Sequence, residues 1–268
     1  MSPRATYSTQ LVVAATATLL CLATGNNRSR VARAHNPATG SPGITATVMA
    51  ASRVPHVVWT GQDAEDQYAF DHFFNGVRGG SYLELGAHNG VHLSNTKSLH
   101  DFYGWRGVLI EANPVDYALL AESRPYDLTV HAAICASHGT VHYVSNGVVG
   151  GIWELMPQSF RERWHPNVDP TKLPLVPCLP LKDVLAVHNV THINFFSLDV
   201  EGAELSVLES MDFGRISFDV IVIEADEHSE AKNTGVRNFL AGKGYKLHER
   251  VLRNDWFVRT GFKGVAKS

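Results

Sequence analysis

The chain has 268 residues, 18% charged and 44% hydrophobic, which is the composition of a folded globular protein of one or two domains. A formal net charge of -3 removes any electrostatic case for nucleic acid as a partner.

Residues 1–62 contain no Asp or Glu, and Asp63 is the first acid. Within them, Leu11–Ala23 is an apolar stretch of 13 residues. That is shorter than the ~20 residues of a membrane span. Arg4 precedes it, and small residues follow at Cys21, Ala23 and Gly25, which fits a signal peptide. An Arg-rich, acid-free leader also fits an organellar transit peptide. The expectation is a targeting leader over 1–25, a disordered linker over 26–53 and a folded domain over 54–268. The expected location is the secretory pathway or outside the cell, with an organelle as the alternative. Membrane association is expected only through the leader. The sequons Asn27-Arg28-Ser29 and Asn189-Val190-Thr191 count only on the secretory route. Cys135 and Cys178 lack the spacing of a zinc pair. Buried free thiols are expected for them, with a disulfide as the alternative in a secreted chain.

A helix is predicted from Gln62 to about Asn75, with its acids in the first turn. Ser81–Ala87 reads as a buried strand that breaks at Gly86 and Gly90. Val91–Tyr103 reads as a helix. Gly107–Ala112 is a second apolar strand, ending at Glu111, and Asn113-Pro114 opens a helix to about Ser123. Leu128–Ala136 is a third strand, with Thr140–Val144 beside it as a hairpin arm. Residues 145–180 hold Gly150-Gly151, Trp153, Trp164 and several prolines, and read as an irregular lid or binding loop. Leu181–His188 reads as a helix, Ile193–Val200 as a strand and Glu204–Met211 as a helix. A strand over Phe218–Glu224 and a helix over Ala231–Gly242 follow. Tyr245–Val251 and Asp255–Arg259 alternate apolar and polar, as antiparallel strands do. The fold expected is α/β: a Rossmann-like, doubly wound, mostly parallel sheet with terminal antiparallel strands.

Four of these strands end in acids: Glu84, Glu111, Asp199 and Glu224. Parallel strands present their carboxyl ends at one rim, so the four converge there. Buried carboxylates are costly unless paired or hydrogen-bonded, so such a ring points to ligand hydroxyls or amines. A dinucleotide site needs Gly-x-Gly-x-x-Gly for the pyrophosphate. Here Glu84-x-Gly86 is followed by Gly90, and His88 stands where the second glycine belongs. That loop suits a nucleoside without phosphates, such as S-adenosylmethionine. The ligand's ammonium is drawn to an acid, and its ribose diol donates to a carboxylate placed as Glu111 is.

The motifs Leu83-Glu84-Leu85-Gly86-Ala87-His88-Asn89-Gly90 and Gly107-Val108-Leu109-Ile110-Glu111-Ala112-Asn113-Pro114 carry a resemblance. So does Ser197-Leu198-Asp199-Val200-Glu201-Gly202-Ala203-Glu204, the most specific of the three. From about Thr60 to Arg259 the chain resembles the FkbM family of S-adenosylmethionine-dependent methyltransferases. Ser197 stands where that family more usually has Lys, and His88 where it has an acidic or polar residue. The resemblance implies methylation of a hydroxyl on a sugar, lipid or small metabolite. It implies that Glu84, Gly86 and Gly90 hold the methionine part, Glu111 the ribose, and Ala132 and Ala133 the adenine. Asp199 and Glu201 then flank the methyl group, as cofactor contact and candidate base, with His92 and His228 as further candidates. No metal is expected. A divalent cation on Asp199, Glu201 and Glu224 is the alternative. The expected acceptor is a small molecule or glycan that contacts residues 145–180. The rival reading is a non-catalytic secretory-pathway trafficking or binding protein on the same fold.

Overall fold

The computed structural model of the chain describes residues 56–147, 149–225 and 230–264. The leader, the linker, the first sequon, Cys21 and His228 lie outside the described residues. Among the described residues, no helix is long and apolar enough to cross a membrane.

The folded part opens with α1 (Glu65–Ala69), which widens into a π-type turn over Phe70–Phe74. Then come β1 (Ser81–Leu85), α2 (Lys97–Tyr103), β2 (Arg106–Glu111), α3 (Pro114–Ser123) and β3 (Leu128–His131). Asn113 caps α3 by accepting from the Val115 amide, and Pro114 fills the first helical position, where no amide donor is needed. Next are β4 (Ala133–Ile134), β5 (Gly139–Val144), β6 (Gly151–Ile152), α4 (Gln158–Trp164) and β7 (Leu175–Leu179). The chain continues with α5 (Leu181–Val187), β8 (His192–Leu198), α6 (Glu204–Glu209) and β9 (Ser217–Glu224). It finishes with α7 (Glu230–Gly242), β10 (Tyr245–Val251) and β11 (Asn254–Arg259).

Seven strands form one sheet in the order β10-β11-β9-β8-β1-β2-β3. β1, β2, β3, β8 and β9 pair in parallel. β11 runs antiparallel to both of its neighbours, β9 and β10. Strands buried on both faces read as unbroken apolar runs, and Ile193–Leu198 and Phe218–Ile223 do so here, interrupted only at Asn194, Ser197 and Asp219. Alternate residues serve opposite faces. Leu83, Ile110, Phe196 and Leu198 pack with Leu185 of α5, Leu208 of α6 and Leu240 of α7. Tyr82, Leu109, Phe195 and Trp256 pack with Phe70, Phe74, Leu99 and Leu120 on the other face. The sheet is therefore doubly wound and mostly parallel, as the sequence predicts.

Four local expectations are corrected. Only Lys97–Tyr103 of the predicted 91–103 helix is helical. Residues 91–96 form turns, because Ser94, Asn95 and Thr96 bond to the buried Glu84 carboxylate instead of to a helix ladder. The predicted third strand is two strands, β3 and β4, in different sheets. β5 does not lie beside the third strand; it joins β7 and β6 in a separate four-stranded sheet, β4-β7-β5-β6. The 145–180 insertion therefore contributes ordered strands and a helix. Finally, Cys135 and Cys178 are joined in a disulfide with a Cα–Cα distance of 5.7 Å, not left as free thiols. The parallel register of Ala133 on Cys178 brings the two together.

Candidate active site

β1 pairs β2 on one side and β8 on the other, so successive connections leave it in opposite directions. At that switch point the carboxyl ends of the strands open into a crevice. Its walls include Glu84, Gly86, Glu111, Ala133, Asp199 and Glu201. Its space, mouth included, is ≈ 1120 Å³.

Gly86 turns the chain out of β1 with φ 77°. A Cβ here would sit 1.9 Å from the Asp199 carbonyl oxygen, so only glycine lets the β1 and β8 ends approach this closely. Behind the turn, Glu84 is buried. Its Oε2 accepts from Ser94 Oγ at 2.9 Å and from Thr96 Oγ1, and its Oε1 accepts from the Asn95 amide at 2.8 Å. Oε1 thus takes one bond and keeps capacity for another. Arg124, fully buried, completes this support. It donates to the Gly90 carbonyl at 3.0 Å, to Asp127 at 2.8 Å and to the Tyr82 hydroxyl.

At the end of β2, Glu111 accepts from the His88 amide at 2.8 Å and the Asn113 amide at 2.7 Å. Tyr143, from the added sheet, approaches Glu111 Oε1 at 3.5 Å. Burial pushes the Glu111 carboxyl up to about 7, against the lowering effect of the two amide bonds. Ala132 and Ala133 form an apolar wall next to it.

At the end of β8 the acids crowd together. Asp199, Glu201 and Glu224 each bring a carboxylate oxygen within 4.8 Å of the others. Burial pushes the Asp199 carboxyl up, and the neighbouring Glu204 and Glu65 charges add to this. Burial raises Glu224 as well, with Asp199 as the next cause. Glu201 sits at φ 56°, in the left-handed region, at the head of the loop to α6. Glu204 is spent on that loop. Its Oε1 accepts from the Val200 amide at 3.3 Å and the Gly202 amide at 3.0 Å, and its Oε2 meets Lys232 at 3.1 Å.

The methyltransferase FkbM domain matches residues 84–247. The chain belongs to the FkbM methyltransferase family. No curated protein matches the sequence. Among solved structures it is similar to the precorrin-6y C5,15-methyltransferase of Geobacter metallireducens GS-15, with 12% identity over 76% of this chain and 89% of that one and a TM-score of 0.39. It is similar to the Methanococcus jannaschii fibrillarin pre-rRNA processing protein, with 13% identity over 69% and 68% of the two chains and a TM-score of 0.40. It is also similar to a methyltransferase from Pyrococcus furiosus, with 13% identity over 73% and 83% and a TM-score of 0.35.

In this FkbM-family chain the crevice brings together Glu84, Gly86, Glu111, Ala133, Asp199 and Glu201. Gly90 does not line it. That glycine, at φ 73°, faces inward, where a Cβ would meet Leu120 and Arg124. His92 lines the mouth. Ser197, at the FkbM lysine position, is buried and accepts from Asn95 Nδ2 at 2.9 Å. Asn95, part of the Ser94-Asn95-Thr96 turn that resembles the family's first motif, and Tyr143 are wall residues to which the sequence assigns no role. Asn95 belongs to the Ser-Asn-Thr turn and was within reach of motif reasoning. Tyr143 lies in β5, which the sequence reads only as a hairpin arm beside the third strand, with nothing to aim it at the crevice.

Proposed function

We propose that the protein is an S-adenosylmethionine-dependent methyltransferase that methylates a hydroxyl of a sugar, lipid or small metabolite. The observation that carries this reading is Glu111: a buried carboxylate at the end of β2, facing the crevice beside an apolar alanine wall. That is the chemistry a ribose diol next to an adenine requires. Asn95 Oδ1 is buried without a hydrogen-bond partner, as fits a site for a donor such as the cofactor's ammonium. Gly86 lines the same crevice with its backbone.

When bound, the cofactor supplies a methyl group activated by a sulfonium. The chain's part is to align the acceptor oxygen with it and to receive the hydroxyl proton. Alignment alone supplies much of the acceleration in such reactions. Asp199 and Glu201 are the groups for the second task, since both line the crevice together with Glu111. The raised Asp199 carboxyl has the proton affinity that a base working near neutral pH needs. Gln62, Glu65, Arg253 and Asn254 line the adjoining wall and are the candidate acceptor contacts.

We assign the folded domain to 54–268, after a leader over 1–25 and a linker over 26–53, and the protein to the secretory pathway. The Cys135–Cys178 disulfide supports this, because disulfides persist in oxidising compartments, and Asn189 of the second sequon is exposed. Calorimetry with S-adenosylmethionine and with NAD tests the cofactor: heat with the first and none with the second is expected, and the reverse overturns the reading. Asp199→Ala then separates roles. Retained binding with lost turnover supports Asp199 in the chemistry, and unchanged turnover removes it.

A further inference from the structure

We propose that Asp199, Glu201 and Glu224 form a binding site for one hard divalent cation, Mg²⁺, Mn²⁺ or Ca²⁺, at the carboxyl ends of β8 and β9. The site itself does not depend on the cofactor reading.

Two observations point to it independently. The first is geometric. The three side chains each offer an oxygen, and these oxygens lie within 4.8 Å of one another. Two oxygens on one cation are separated by at most twice the metal–oxygen distance. That limit is about 4.8 Å for calcium and about 4.2 Å for magnesium. Three equally spaced oxygens on one calcium stand about 4.2 Å apart, so the triangle is of a size that one hard cation can close on after a small contraction. All donors are carboxylate oxygens, the set that hard cations select over zinc or copper.

The second observation is an orphan atom. Glu224 is only 8% exposed, and its Oε2 is buried without a hydrogen-bond partner. Native proteins seldom leave such an oxygen unmet. The side chain next to it, Asp199, is a second acceptor and donates only if the two share a proton. The nearby cations are already bridged to other acids: Lys232 to Glu204 at 3.1 Å, and Arg253 to Asp63 at 2.7 Å. A divalent ion satisfies the orphan oxygen and offsets the crowded charge in one step. Asp199 and Glu201 line the crevice, so the site adjoins it. Under the methyl-transfer reading, the ion's task there is to fix and polarise the acceptor oxygen, and a carboxylate bound to it through one oxygen keeps the other to receive the hydroxyl proton.

The test is a titration of the full chain with Mn²⁺ alone, followed by water-proton relaxation, with Mg²⁺ and Ca²⁺ as competitors and a thermal melt at each metal concentration. The expected result is one Mn²⁺ per chain, displaced by Mg²⁺ or Ca²⁺, with a metal-dependent rise in melting temperature. Glu224→Gln and Glu201→Gln are each expected to weaken binding at least tenfold. Glu201 stands at the rim, so that variant decides the matter if Glu224→Gln does not fold. No saturable binding at millimolar metal overturns the proposal in favour of a proton shared by Asp199 and Glu224. So does binding that survives Glu201→Gln undiminished.

Discussion

The Cα of Gly86 lies against the backbone carbonyl of Asp199, so closely that a Cβ on residue 86 would stand 1.9 Å from that oxygen. Gly86→Ala therefore has to push β1 and β8 apart, and it also pays for φ 77°. Gly90 carries the same left-handed cost at φ 73°, but the nearest atoms a Cβ there would meet are side-chain atoms of Leu120, Arg124 and Ser123, at 2.6 Å or more, and not backbone. Gly86→Ala is expected to lower cofactor affinity more than tenfold and to destabilise more than Gly90→Ala does. Calorimetric titration and urea melts of the two variants check the order.

Arg124 is fully buried between Asp127, the Tyr82 hydroxyl and the Gly90 carbonyl. Removing one partner of a buried charge network typically costs about 3–5 kcal/mol, because the other charge stays behind. Arg124→Met is expected to fall in that range by urea unfolding. The double variant Arg124→Met/Asp127→Asn should recover part of the loss.

Glu111 supplies a pH dependence. Its carboxyl is raised from 4.5 to about 7 by burial, so the folded protein holds this proton more tightly than the unfolded chain does. Its contribution to stability is full below about pH 4.5 and fades as the pH climbs to about 7, on the order of 3 kcal/mol across that window. Cofactor binding runs the other way, because a diol donates to the ionised form. Affinity is expected to rise from pH 6 to pH 8, with proton release on binding near pH 6.5. Calorimetry in buffers of different ionisation enthalpy measures that release, and Glu111→Gln should abolish it.

The Cys135–Cys178 bridge spans 43 residues. Closing a loop of that length contributes about 4 kcal/mol in the chain-entropy account. The Cys135→Ser/Cys178→Ser variant is expected to lose up to that much. Because Cys178 pairs in register with Ala133, its cofactor affinity should fall as well. Melts with and without dithiothreitol give the same comparison on the native chain.

The parallel strands were legible because burial on both faces leaves apolar runs, as in Phe218–Ile223. The acids at their ends were legible because nothing else explains carboxylates there. The turn over 91–96 was not: Val91, His92 and Leu93 carry no mark against a helix, and the decisive partner, Glu84, acts through tertiary contact. Arg124 looked like any residue at a helix end. The second sheet was hidden because β4 and β6 are two residues each, too short to show a period. Gly90 read as a cofactor contact because glycine spacing reports backbone freedom, not which way the freed space faces.

β11 lies between β9 and β10 although it follows both in the chain. β10 and β11 form a hairpin across a two-residue turn, and β11 is the arm of it that pairs with β9. Asn254, the first residue of that strand, and Arg253 in the turn before it are also part of the crevice wall. The crevice wall is therefore complete only when that hairpin is docked. The β1–β2–β3 half of the sheet is local in sequence, whereas the pocket needs this distant hairpin to join the opposite edge of the sheet.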